Sequence, residues 1–218
     1  MIPALLAVTA IIAYFFGSMS TPILTSHIYF HENLLKYSRD NAGMTRFYKR
    51  YGRNGVIVLA LCEILKTVIP MIICGLIMLI ADQMKIGYAF ALFCIVMGTD
   101  FPIMYRFKGE PSLIAMFVGT FFISGEVAAA GIIIFVIVYL ASKYISLSAL
   151  VSALFMALVA VMSVDDNIVR NIFLITCLLV FVEYRKNIGR LLRGKEKKFR
   201  FREDVSYMFD DDYGSGER

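Results

Sequence analysis

Two uncharged or nearly uncharged runs constrain this chain more than any other feature. Met1 to Phe30 contains no Asp, Glu, Lys or Arg, and Gly55 to Ala81 carries only Glu63 and Lys66. Each exceeds the roughly 20 apolar residues that a helix needs to cross a bilayer. Hydrocarbon offers the backbone no hydrogen-bond partner, so such runs fold as helices that satisfy their own polar groups. Composition agrees, because 59% of the 218 residues are hydrophobic and 18% charged, with a mean hydropathy of +0.73. Those values lie outside the range of soluble domains. The fold class read from them is an all-α integral membrane protein. The start lacks a cationic segment, and its uncharged run is too long for a secretory leader, so it reads as a span. Cys62, Cys74, Cys94 and Cys177 are scattered through apolar spans without paired spacing. They read as packing residues, neither a disulfide framework nor a metal site.

Further spans are read at Gly87 to Met104, Ile145 to Met162 and Ile168 to Val182. Pro111 to Leu140 is interrupted at Gly125-Glu126, and this interruption decides the parity of the whole chain. If 111–140 crosses twice, one face collects the cations of 31–53, 105–111, 141–144 and everything after 182, which is nineteen of the 22 Lys and Arg residues. Cytoplasmic loops carry the excess of Lys and Arg, so that face is read as cytoplasmic. The expectation is a seven-segment transmembrane helix bundle with a short central hairpin, N-terminus outside and C-terminus cytoplasmic. Each half of the hairpin has about 14 residues, or about 21 Å at 1.5 Å per residue, so thinning, burial or re-entry must accommodate it. Residues 1–192 form the bundle with a cytoplasmic-facing site, and 193–218 form a cytoplasmic tail, first basic and then acidic around Asp210-Asp-Asp212. The basic part suits anionic headgroups, at roughly 1 kcal/mol per cation near the surface.

Charges inside a span are costly, which makes function the first hypothesis for Glu63 and Lys66. Their i, i+3 spacing puts them on one helix face, with Pro70 a turn beyond. The plain alternative is a structural ion pair. The loop 38–53 combines five cations, Arg39, Arg46, Lys49, Arg50 and Arg53, with Asn41, Gly43 and Thr45. Charge attracts an anion while amide and hydroxyl donors fix its oxygens, so the mixture suits a phosphate, although an ordinary positive-inside loop accounts for the cations alone. Lys108-Gly109 before Pro111 places a cation and an amide near a helix start, and Asn187 and Arg190 lie three apart. A membrane-edge turn and an interfacial anchor are the plain readings of those two. His27 and His31 belong to no triad or metal pattern. P-loop, Rossmann and zinc motifs are absent, no cofactor is indicated, and a pI near 9.0 is explained by topology without nucleic acid.

Taken in order, these clusters resemble the bacterial PlsY-type acyl-phosphate:glycerol-3-phosphate acyltransferases over about residues 10–198. Ala13-Tyr-Phe-Phe-Gly-Ser18 looks like the family's Tyr-Leu-Leu-Gly-Ser entry segment. Asn41, Gly43 and Thr45 match its Gly-Ser-Gly-Asn-Ile-Gly-Ala-Thr-Asn loop, followed by Lys49 and Gly52. Its Asp-x-x-Lys-Gly becomes Glu63-Ile-Leu-Lys66-Thr, and its Gly-His-x-Phe-Pro becomes Gly98-Thr-Asp-Phe-Pro102. Its Phe-Lys-Gly-Gly-Lys-Gly turn becomes Phe107-Lys-Gly-Glu-Pro-Ser112, and its terminal His-x-x-Asn-Ile-x-Arg-Leu becomes Tyr184-Arg-Lys-Asn-Ile-Gly-Arg-Leu191. The departures fall at chemical groups: Arg39 for a serine, unless the loop shifts by one residue and Ser38 takes that place, Arg46 for an asparagine, Thr99 and Tyr184 for two histidines, and Glu110 to Ser112 in the glycine-lysine turn.

The resemblance implies acyl transfer from acyl phosphate to glycerol 3-phosphate or a related phosphorylated acceptor, in a bacterial cell membrane, with the active face cytoplasmic. By resemblance, Lys49, Lys66, Lys108 and Arg190 carry phosphate charge, Gly43 presents backbone amides, and Asn41, Thr45 and Asn187 orient the substrate. No residue is assigned as catalytic base, because tyrosine, with a pKa of about 10, replaces histidine poorly at neutral pH. Acyl phosphate is already activated, so positioning and charge stabilisation can suffice. Two other readings stand beside this one: a non-catalytic relative that binds lipid or acyl phosphate, and a small transporter built around Glu63 and Lys66.

Overall fold

The computed structural model describes residues 1–29, 31, 44–105, 109, 111 and 113–194. Among these the chain is all helix: α1 (Ile2–Ser18), α2 (Thr21–Tyr29), α3 (Met44–Leu79), α4 (Met84–Asp100), α5 (Leu113–Ile123), α6 (Gly125–Ser142), α7 (Ile145–Ser163), α8 (Asn167–Glu183) and α9 (Arg185–Leu192). Asn54–Leu79, Gly125–Ser142 and Ile145–Ser163 are each long and apolar enough to cross a bilayer. The outward side of α3 shows why. Ile57, Leu61, Leu65, Ile69, Ile72 and Leu76 recur at helical spacing and are all exposed, whereas Leu59, Lys66, Thr67, Met71, Cys74 and Met78 on its inner side are buried. A greasy exterior around a buried interior that includes polar groups suits lipid as the surrounding solvent.

The uncharged run 1–30 is two helices rather than one straight span. It bends by 64° between Ile2–Ser18 and Thr21–Ile28, a broken span or a re-entrant loop. Met19 is extended there (φ −73°, ψ 120°), and Pro22 suits the first turn of the helix that follows. The central stretch also divides unevenly. Instead of two halves of about 14 residues, α5 has 11 and α6 has 18. The break falls at Ser124, whose side chain accepts from the Val127 N–H, and Glu126 in the first turn favours the helix dipole. On the N-terminal side of its apolar span, α3 kinks at Gly52, where φ is 63°.

The bundle is organised around α4, which packs against α1, α3, α5 and α8. Two glycines bring α1 and α4 into backbone contact. A Cβ on Gly17 would sit 2.4 Å from the Ile95 carbonyl oxygen, and one on Gly98 would sit 2.5 Å from that of Tyr14. Small residues at a crossing let helices approach where no hydrophobic drive acts between them. On the other flank, Ser152 of α7 donates to the Gly131 carbonyl of α6 at 2.8 Å.

Candidate functional site

The candidate site is described from Lys66, on the inner face of α3. Its Nζ lies 3.1 Å from Glu63 Oε1, with the two side chains only 6% and 13% exposed. The same Nζ donates to the Met19 carbonyl at 3.2 Å, which is the carbonyl left without a helical partner where α1 breaks from α2. Irregular backbone at membrane depth requires such a donor. One helical position therefore ties α3 to the break in the first span. Thr67, fully buried, returns its hydroxyl to the Glu63 carbonyl at 3.0 Å. Pro70 has no N–H to give the carbonyl of Lys66, so another polar atom is released on the same turn. An ammonium has three N–H groups, and these two contacts engage two of them.

From Met19 the polar line continues into α4. Thr99 Oγ1 lies 2.8 Å from the Ile95 carbonyl and 3.3 Å from that of Gly17, and Tyr14 donates to the Phe101 carbonyl at 2.7 Å. Gly109 packs directly on this helix end, because a Cβ there would meet the carbonyl oxygens of Thr99 and Asp100 at 1.9 and 2.4 Å. No larger residue fits without moving the turn. Asp100 ends α4 and is 8% exposed, and among the described residues its carboxylate oxygens accept no hydrogen bond.

The third part is the junction of α8 and α9. Tyr184, 4% exposed, follows Glu183 and precedes the eight-residue helix α9. Asn187 Nδ2 donates to Ser146 Oγ of α7 at 2.8 Å, which fixes the amide so that its nitrogen faces the bundle. Arg190, a turn later, is exposed. Ile188 of α9 is thus held against the core while Arg185 and Arg190 are exposed.

Of the sequence-derived site residues, the structure links Lys66 to the α1 break and Asn187 to α7, and it sets Arg190 on the same short helix as Asn187. Thr45 and Lys49 lie on α3, within 44–50, where side chains are outside the description. Asn41, Gly43 and Lys108 fall outside the described residues, as does the tail from 195 onward. Sequence reasoning missed two acids, Asp100 and Glu183. The signal was present, since Asp100 lies within the span read as 87–104 and deserved the same attention as Glu63. It also missed the Met19 carbonyl, which becomes available only because the helix breaks. Among the described residues, no three His, Cys, Asp or Glu side chains gather as metal ligands.

Comparison with known proteins adds three findings. A sequence model described as glycerol-3-phosphate acyltransferase matches residues 7–194. The chain is 32% identical over 189 residues to the glycerol-3-phosphate acyltransferase of Francisella tularensis subsp. mediasiatica, covering 86% of this chain and 90% of that one. It is 25% identical over 203 residues to glycerol-3-phosphate acyltransferase 2 of Bacillus anthracis, covering 87% and 97%. In three dimensions it is similar to crystal structures of PlsY, an integral membrane glycerol 3-phosphate acyltransferase. The glycerol 3-phosphate form superimposes with a TM-score of 0.75 at 20% identity, over 94% of this chain and 98% of that one. The lysophosphatidic acid form gives a TM-score of 0.75 over 89% and 95%. At that identity the likeness shows a shared fold.

Proposed function

The chain belongs to the glycerol-3-phosphate acyltransferase family, and from that premise we propose that it transfers an acyl group from acyl phosphate to glycerol 3-phosphate at the cytoplasmic side of a bacterial cell membrane. The hydroxyl oxygen of glycerol 3-phosphate attacks the acyl carbonyl carbon, and a new ester C–O bond forms. The C–O bond to phosphate breaks, its electron pair leaves with the phosphate, and the hydroxyl proton ends on that phosphate. The products are lysophosphatidic acid and inorganic phosphate. Negative charge is present on both substrates and builds on the leaving group, so fixed cations in a site of low dielectric are what the reaction needs most.

The observation that carries this reading is Lys66, a buried cation held within a membrane-spanning helix by Glu63 and the Met19 carbonyl. Its placement supports a role in holding phosphate charge together with Lys49, Lys108 and Arg190. Asn187, oriented by Ser146, suits a role in aligning the acceptor. Asn41, Gly43 and Thr45 supply donors to the same phosphates. In this reading the bundle has seven segments, with α1 and α2 as one broken span and α5 and α6 as the central hairpin. The N-terminus is outside, and α9 and the tail lie at the cytoplasmic surface among anionic lipids.

Purified protein given an acyl phosphate releases inorganic phosphate only when glycerol 3-phosphate is present, and Lys66→Ala or Asn187→Ala abolishes the release. Acceptor-independent release, or tight binding of acyl phosphate without turnover, overturns the transferase reading.

A further inference from the structure

Helix α3 is not one straight rod. Asn54–Leu79 is the part long and apolar enough to cross a bilayer, and Gly52 sits just before it as a kink that separates residues 44–51 from the span. With φ 63° and ψ −160°, Gly52 occupies a region that is essentially closed to every other residue type. A Cβ there would meet no atom within 4 Å among the described residues. The demand for glycine therefore comes from the backbone turn alone, with no contribution from crowding.

The segment before the kink has the sequence Met-Thr-Arg-Phe-Tyr-Lys-Arg-Tyr and is helical. At 3.6 residues per turn, the positions of Met44, Phe47, Tyr48 and Tyr51 share an arc of about 100°, and those of Thr45, Arg46, Lys49 and Arg50 fall on the remaining side. An apolar, aromatic arc opposite a basic one is the pattern of a helix that lies in a membrane interface. A straight continuation of α3 would instead carry these residues about 12 Å out into water, taking the aromatic arc away from any apolar medium. Lipid is close at hand, because Ile57, exposed on the outward side of α3, lies about 8 Å along the helix from Gly52. Charge selects the kind of lipid: three of the eight residues are cations and none is acidic, which is complementary to anionic headgroups.

We propose that residues 44–51 form an interfacial helix docked on an anionic lipid surface, and that Gly52 turns the chain onto that surface. Positions 45 and 49 lie one turn apart beside the apolar arc, so docking holds both at the level of the headgroups. Gly52 is thereby a positioning residue for Thr45 and Lys49. That catalytic half rests on the acyltransferase reading, in which those two residues contact phosphate, while the docking stands without it.

The chain contains no tryptophan, so a single introduced one reports its own surroundings. Phe47→Trp and Arg46→Trp, at positions on opposite sides of the helix, are compared in the full chain in nanodiscs of equal parts phosphatidylcholine and phosphatidylglycerol. Phe47→Trp is expected to emit at shorter wavelength, to be quenched by lipid spin-labelled near the headgroup, and to be several-fold less sensitive to aqueous acrylamide than Arg46→Trp. Equal sensitivity at the two positions overturns the interfacial helix. Protection from acrylamide without quenching by the labelled lipid places the arc against protein and overturns the lipid partner, and a contrast that is unchanged in phosphatidylcholine alone overturns the anionic preference. Adding Gly52→Ala to Phe47→Trp restores access to acrylamide, whereas Gly125→Ala, where a Cβ also has open space, does not. Protection that survives Gly52→Ala, or that is lost equally with Gly125→Ala, overturns the role of the turn.

For the catalytic half, Gly52→Ala lowers kcat/KM for glycerol 3-phosphate roughly a hundredfold, the scale of a misplaced substrate contact. The native sequence gains activity several-fold when phosphatidylglycerol joins phosphatidylcholine. Full activity in Gly52→Ala overturns the positioning role; if that variant does not fold, equal activity of the native sequence in the two lipids does so. Native protein without transfer activity contradicts the acyltransferase reading, and the fluorescence still decides the docking.

Discussion

A lysine at position 66 would be expelled from an apolar helix unless its charge were matched, and Glu63 one turn back matches it at 3.1 Å. Removing only the lysine strands a buried carboxylate, and breaking such a pair costs about 3–5 kcal/mol. Loss of activity in Lys66→Ala therefore confounds two effects. The double variant Glu63→Gln/Lys66→Met separates them, because it removes both charges and leaves no unpaired ion. We expect its Tm to recover most of what Lys66→Ala loses, while phosphate release stays absent. Recovery of both would make the pair structural. The pair itself was legible in the sequence, since charges at i, i+3 inside an uncharged run have few explanations. Its second partner was not legible, because a backbone carbonyl becomes an acceptor only through a tertiary event, the break after Ser18. Asp100 and Glu183 were legible one at a time as acids at the ends of apolar runs. What they face depends on how α4 crosses α8, which neither local pattern encodes.

Hydropathy located the interiors of α3, α4, α7 and α8 to within a few residues, but it misjudged how the chain divides at breaks. Residues 1–30 are uniformly uncharged, so an average over them hides the bend; Gly17, Ser18, Ser20 and Pro22 were the local signs of it. The same holds at 111–140, where Gly125-Glu126 drew attention but the capping serine before them sets the boundary. The crossing of α1 and α4 gives the element-level prediction. Gly98→Ala places a methyl group against backbone atoms of Tyr14 and Ser18, which have no rotamer to yield, so the helices must separate. We expect a loss of about 1–3 kcal/mol, as overpacking typically costs, read as a lower Tm in nanodiscs. Ser124→Ala removes one cap at the central break and should cost about 1 kcal/mol, with activity unchanged. A Gly98→Ala protein as stable as wild type would show that the two backbones are not in contact.

For the molecule as a whole, the distribution of cations carries the proposed orientation, because nineteen of 22 fall on one side if the central stretch crosses twice. An impermeant thiol reagent tests this arrangement. Cysteine introduced by Ser206→Cys in the tail should react only after cells are permeabilised, and an epitope at the N-terminus should be accessible in intact cells; the reverse pattern would invert the bundle. Family membership and a shared fold are established by the sequence match over residues 7–194 and by the likeness to PlsY. The proposed chemistry then turns on whether positioned cations around Lys66 suffice for acyl transfer although Thr99 and Tyr184 stand where the family has histidine. The most direct measurement is the yield of lysophosphatidic acid when purified protein receives acyl phosphate and glycerol 3-phosphate. The account predicts lysophosphatidic acid and inorganic phosphate in equal amounts, both lost in Lys66→Ala. Phosphate without lysophosphatidic acid, or neither product from folded wild-type protein, would contradict it.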